Sequence, residues 1–401
     1  MNSLASAVGN EIYPFYAMLR RHRMKHRAYD NLDGVYISGG NFTSNGKVNI
    51  THTGLLNDTS YTLYTGIVIK SYAVRVYGGS VNILKADITA NVGGGVYCNN
   101  GSITLGTADS LSSDISISTL GAKITSDSFS PIQSDAEGSW YTQKSISGGH
   151  AVELYGGTNP GNITIYNGTY EAAYGNGVQA QIPDNCQGTI NIWNGTFIGN
   201  MQGTSGRSGP ASSYGLKVIG GATVNIMNGM FNGAAGGASV TGIHTFNSIS
   251  NIDGDLANVY IYAGTFGSAD ALPTDGLMIF DMANVIVGAG DSGAASADKI
   301  HVWASLCPIS ANKIAYKSGS YKQAYVTTYY GTYHCGRDDV WNEGAKASIV
   351  LYNTSSQGQS LTSFVGINGK GYNSKYGNGY YTYGTQSGAT YYNRPLPALL
   401  D

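Results

Sequence analysis

Two stretches of this 401-residue chain set carboxylates beside aromatic rings, the combination that chemistry on sugars calls for. Asp135 and Glu137 lead into Trp140 and Tyr141, while Asp338, Asp339 and Glu343 share a segment with His334, Arg337 and Trp341. Glycoside hydrolysis generally uses two carboxyl groups roughly 5–10 Å apart, one protonated and one ionised. Crowded carboxylates hold one pKa high, which suits a general acid. Were the chain catalytic, Asp338 and Asp339, with Glu343 as partner, would be the first choice. Binding asks for less, an aromatic face and a few polar groups. Asp135, Glu137, Trp140 and Tyr141 are therefore read as glycan contacts. Both groups also fit ordinary loop charge.

A third set comes from a recurring pattern of small, apolar, any, apolar. It reads Ala73-Val74-Arg75-Val76, Gly95-Val96-Tyr97-Cys98, Ala151-Val152-Glu153-Leu154 and Gly177-Val178-Gln179-Ala180. It returns as Gly215-Leu216-Lys217-Val218, Gly242-Ile243-His244-Thr245 and Gly276-Leu277-Met278-Ile279. Side chains alternate along a strand, so the third residue of each points away from a core. Stacked strands then carry Arg75, Tyr97, Glu153, Gln179, Lys217, His244 and Met278 in one outward column. The column is either a solvated face of mixed charge or a shallow glycan groove with Glu153, Lys217 and His244 as polar contacts. No HExxH, P-loop, GxSxG or EF-hand loop occurs, and neither a metal nor a cofactor is expected.

The element that must position these residues is a repeat. An apolar residue, any residue, a small residue or Asn, Gly, any residue and an aromatic recur as Ile165–Tyr170, Ile192–Phe197, Ile226–Phe231 and Ile261–Phe266. The starts are spaced by 27, 34 and 35 residues. Further copies read Ile37–Phe42 and Tyr316–Tyr321, with degenerate ones at Ile83–Ile88 and Val287–Gly290. Self-similarity at such spacing marks a solenoid or propeller. The units hold two or more short strands and no helical crossover, which disfavours a doubly wound sheet or a TIM barrel. They are mostly too short for propeller blades, and their varied length suits a solenoid that loops insertions out at its corners. Residues 34–330 would give about 11 to 13 coils and a rod of roughly 55 Å.

These strands, glycine corners and Asn-Gly turns resemble the right-handed parallel β-helix superfamily. It includes pectate-lyase-like enzymes, carbohydrate-binding repeat proteins and phage tailspikes. The resemblance covers roughly residues 34–330 and implies an all-β, right-handed parallel β-helix (a β-solenoid) with an exposed sheet face that binds a sugar chain. It says little about activity, since one fold hosts many functions. The polygalacturonase-like signature is missing: Gly148-Gly149-His150 is not followed by Gly, and no Arg-Ile-Lys occurs. A calcium-dependent lyase would want an acidic cluster, and the repeats show none.

Residues 1–33 differ from the rest. Ile12, Phe15, Met18 and Leu19 have helical spacing, and Arg20, Arg21, Arg23, Lys25 and Arg27 follow. A short helical segment is expected here, as an N-terminal cap or a docking segment for a particle or baseplate protein. Residues 107–149 interrupt the repeat, with one irregular coil (Ile115, Ile117, Ile124) and a long corner loop expected. Residues 331–401 are rich in Tyr and Gly and read as a C-terminal cap or an oligomerisation tip. Outside the basic run, 17 Lys and Arg meet 24 Asp and Glu, so the mildly acidic body offers little footing for nucleic acid. No apolar run is long enough for a membrane span, and no secretory leader is expected. The four cysteines form no CxxC pair and fit buried free thiols.

The expectation is a structural, glycan-binding protein of a virion or extracellular surface, tailspike- or fibre-like. Its partners would be a cell-surface glycan and copies of itself in a homotrimer. The alternatives are a polysaccharide-degrading hydrolase or lyase and a bacterial surface adhesin or filament subunit.

Overall fold

The computed structural model describes residues 33–395, except for segments of which the longest are 53–61, 65–71, 120–128, 200–212, 243–255, 290–298, 312–323, 355–361 and 368–379. Residues 337–339 and 343–346 are among the shorter omissions. Among the described residues the regular elements are 35 strands. Three long sheets hold most of them, with ten strands in sheet A, twelve in sheet B and ten in sheet C. The chain visits A, B and C in turn, as in Val178–Gln181, Gly188–Ile192 and Thr196–Gly199, and then starts the next coil. Neighbouring coils pair in parallel, so the described residues form an all-β parallel solenoid of ten coils.

The strands form here because each unit alternates apolar and polar residues over four or five positions. In sheet B the inner positions Ile163, Ile190, Val224 and Val259 stack in register. So do Ile165, Ile192, Ile226 and Ile261, and all eight are buried. The aromatic that closes the repeat lies in sheet C. Tyr170, Phe197, Phe231 and Phe266 form a continuous internal stack with centroids 4.9, 4.8 and 4.9 Å apart. The expected core ladders are thus present.

The glycine between them makes the B-to-C corner. Gly195 and Gly229 have φ of 143° and 142°, which a side chain rarely adopts. A Cβ on Gly229 would also sit 3.1 Å from the Gly195 carbonyl below it. That carbonyl accepts the Met230 amide at 2.8 Å, so the corner stays inside the ladder.

Four expectations change. Nine coils, the last ending at Cys335, replace the 11 to 13 expected over residues 34–330, because several coils carry long excursions: Thr119 ends one coil and Val152 opens the next. The first copy, Ile37–Phe42, turns from sheet A to sheet B, since that corner too needs positive φ (Gly40 at 78°). The copy at 316–321 lies outside the described residues. Thr328–Tyr333, with Gly331 at 138°, holds its place in the ninth coil. Lastly, Ile115 and Ile117 belong to a regular sheet C strand, Ile115–Thr119. The excursion after it contains an antiparallel pair, Phe129–Asp135 with Gly138–Gln143, which Thr62–Tyr64 joins. Ile124 and residues 1–32, which carry the expected helix, lie outside the described residues.

The ladders continue past residue 330 through Gly331–Cys335, Val340–Asn342, Ala347–Thr354 and Thr362–Gly366. Tyr380–Thr385 then adds to sheet B in parallel, and Tyr392–Pro395 returns antiparallel. Cys98, Cys307 and Cys335 are buried free thiols, and Cys186 is a half-buried one. Burial pushes the Cys98 thiol up to about 12.

The core ladder predicts a local penalty. Phe231→Ala should lower the unfolding free energy by about 3–5 kcal/mol, the usual cost of a buried Phe truncation. Urea titration followed by far-UV circular dichroism measures it. A loss well under 1 kcal/mol would contradict the stacked core.

Candidate functional site

The column expected outside sheet A exists. Arg75, Tyr97, Glu153, Gln179 and Lys217 pair in sequence across five coils. The next place belongs to Ser239, because the strand that pairs with Tyr214–Ile219 is Gly236–Thr241. His244 lies outside the described residues. Met278, Ser310 and Trp341 continue the column.

Although it points away from the core, this column is not an open groove. Glu153 is 1% exposed, Gln179 5% and Tyr97 8%. Buried polar groups need partners, and here they find one another. Asp33 Oδ2 pairs with Arg75 Nε at 2.7 Å, and its Oδ1 accepts the Tyr72 amide at 2.8 Å. The Arg75 guanidinium lies 5.0 and 5.2 Å from the Tyr72 and Tyr97 ring centres, in cation–π range. Tyr72 donates its hydroxyl to Glu153 Oε2 at 2.5 Å. Burial, then the Glu153 charge, raises the Tyr72 phenol well above its usual range. Further along, Asn176 Nδ2 donates to Gln179 Oε1 at 2.8 Å, and Gln179 Nε2 donates to Gln181 Oε1 at 3.2 Å. Lys217 lies 5.8 Å from the Tyr214 ring centre, and burial lowers its basicity. The two carboxylates of this network, Asp33 and Glu153, are both engaged, so neither is presented to a glycosidic oxygen.

Only some of the other predicted residues are described. Asp135 ends one strand of the antiparallel excursion, and Trp140 and Tyr141 lie in its partner, opposite Tyr64 and Leu63. Glu137, Arg337, Asp338, Asp339 and Glu343 lie outside the described residues. His334 lies in the sheet C strand Gly331–Cys335, whereas Trp341 lies in a sheet A strand of the next coil. His334 instead meets His301, with Nε2 3.2 Å from Nδ1, and the Trp303 ring at a centroid distance of 3.5 Å. Adjacent-coil pairing brings these three together, and their sequence separation hid it. Burial, then His301, pulls the His334 imidazole down to about 4. Among the described residues, no group of three or more His, Cys, Asp or Glu is placed to hold a metal ion.

The open surface lies at the B-to-C corner. Tyr166, Trp193, Met227 and Tyr262 occupy the second position of the repeat in four successive coils. The amides of Trp193, Met227 and Tyr262 donate to Ile165, Ile192 and Ile226 carbonyls at 2.7–2.8 Å, which holds the four in line. Trp193 is 50% exposed, and its ring runs near-parallel to Tyr166 at 6.1 Å. Beside this ridge on sheet B stand Thr164, Asn191 and Asn225, with Asn225 Nδ2 donating to Asn191 Oδ1 at 2.9 Å. On its other side the corner residues Asn194 and Asn228 are exposed. The ridge combines apolar ring surface with neutral donors and acceptors. It was missed because the varying second position of the motif reads as noise until the coils are aligned.

Two measurements separate these roles. Glu153→Ala should destabilise the fold by about 1–3 kcal/mol, the cost of an orphaned buried donor, while ligand binding at the ridge is unchanged. The low His334 pKa has a signed consequence. The unfolded chain, with an ordinary histidine near 6.5, takes up the proton before the folded one does. This contribution to stability is therefore complete above pH ~6.5 and declines as pH falls toward the folded value. Imidazole titration by NMR should place His334 near 4, and His334→Gln should flatten stability across that window. No known protein family, curated protein or solved structure matches this chain, so its functional reading stands on its own geometry.

Proposed function

We propose that this protein is a structural, glycan-binding β-solenoid of a particle or surface appendage, of the tailspike or fibre kind. The observation that carries the reading is the Tyr166–Trp193–Met227–Tyr262 ridge, with Trp193 exposed and the other three half-buried, and its border of Asn and Thr. Aromatic surface takes the apolar side of a sugar, and fixed amides and hydroxyls orient its hydroxyl groups. The rigid ladder beneath keeps those groups in place before the ligand arrives, which lowers the ordering cost of binding. Binding is favoured over cleavage because, among the described residues, the sheet A carboxylates Asp33 and Glu153 are taken up by Arg75 and Tyr72.

The same proposal includes right-handed winding, the hand that parallel crossovers strongly favour. It also includes docking through residues 1–33 and assembly as a homotrimer. A solenoid that joins a larger assembly by one end leaves its flanks free for recognition.

A glycan microarray probed with the full chain tests the reading. We expect retention of a defined set of glycans and, for Trp193→Ala, a loss of about tenfold or more in affinity. A chain lacking residues 1–32 should keep that binding and cease to co-purify with its assembly. Equal binding by Trp193→Ala and the parent would remove the ridge from the proposal.

A further inference from the structure

We infer, resting on the reading of this ridge as a glycan site, that its ligand is a neutral, extended, β-linked glycan lying parallel to the solenoid axis with one sugar per coil. Three observations carry this.

The first is spacing. The four ridge residues sit at one ladder position, so they repeat at the strand spacing of ~4.7–4.9 Å. An extended glycan joined through equatorial linkages advances by nearly one such step per sugar and stays flat. An α-linked chain of the starch type curls away from a straight ridge.

The second is charge. The eight strands of sheets B and C that flank the ridge in these coils contain a single charged side chain, Glu171. Acidic glycans are recognised by Arg or Lys paired to their carboxylates, and these strands carry neither. Glu171 is exposed and would repel a uronate.

The third is length. In the coil before Tyr166 the same place is Gly106, whose amide donates to the Ile83 carbonyl at 2.9 Å. In the coil after Tyr262 it is Gly288, whose amide donates to Ile261 at 2.8 Å. A glycine at each end leaves no side chain for a fifth sugar, so the ridge spans four.

Isothermal titration with cello-oligosaccharides of two to six sugars, malto-oligosaccharides and oligogalacturonates tests the inference on the full chain. Affinity for the cello series should climb to the tetramer, by about tenfold or more over the dimer, and level off beyond it. The malto and galacturonate tetramers should bind at least about tenfold more weakly. Met227→Gly, at a half-exposed position, should remove most of the gain between dimer and tetramer. Preference for galacturonates, or affinity independent of length, would overturn the inference. If Trp193→Ala still lost that binding, the glycan reading of the ridge would survive. Failure of every glycan to bind, with the full chain folded as judged by circular dichroism, would overturn both.

Discussion

Parallel backbone pairing between coils is the constraint on which everything else in this molecule rests. Each strand takes its register from the strand one coil earlier, as Ile165 does to Ile192 and Ile192 to Ile226. A single peptide hydrogen bond adds little net stability, but an unmade one in a buried wall is costly. The ladder therefore cannot slip locally, and every position in the repeat becomes a column. Apolar columns merge into one continuous core, and the ring column becomes the stack from Tyr170 to Phe266. Corners follow the same logic: a glycine in one coil calls for a glycine above it, because a Cβ would strike the carbonyl below.

The same constraint turns outer surfaces into arrays, and the arrays differ in kind. Outside sheet A the array contains a buried Glu153 and half-buried Arg75 and Lys217. Charged groups so placed must be paired, since desolvation would otherwise exceed any gain. The contacts of Arg75 with Asp33 and of Glu153 with Tyr72 meet that demand, and they tie the first coils together. Along the B-to-C corner the array is neutral and open. Among the described residues of these coils, the paired charges and the apolar rings thus lie on different faces, which is the basis of the proposal that the ridge is the recognition surface.

Open ends are the weakness of this architecture, because the last strands present unpaired edges. At the C-terminal end sheet B runs two strands further than sheets A and C. Its final strand, Tyr392–Pro395, pairs antiparallel, and Pro395 brings no amide hydrogen to that edge. A strand that reverses direction and ends on proline is a poor template for another coil.

Much of this was legible in the residues alone. The Asn-Gly-x-aromatic motif carries its own geometry, since glycine at a tight corner and alternation on each side leave few structures open. Six of the seven small-apolar-any-apolar segments are sheet A strands, and the stacking of Ile165 through Ile261 follows directly from the spacing of the motif. What pattern could not decide was which strand pairs with which where excursions intervene. Gly242–Thr245 fits the pattern as well as Gly236–Thr241, and only pairing with Tyr214–Ile219 selects the latter and puts Ser239 in place of His244. Nor does alternation report burial on an outer face. It correctly turned Glu153 away from the core, yet its meeting with Tyr72 depends on residues 81 positions apart. The ridge lay hidden for the complementary reason. Tyr166, Trp193, Met227 and Tyr262 share no residue type, so only the ladder that sets them one above another makes them a surface.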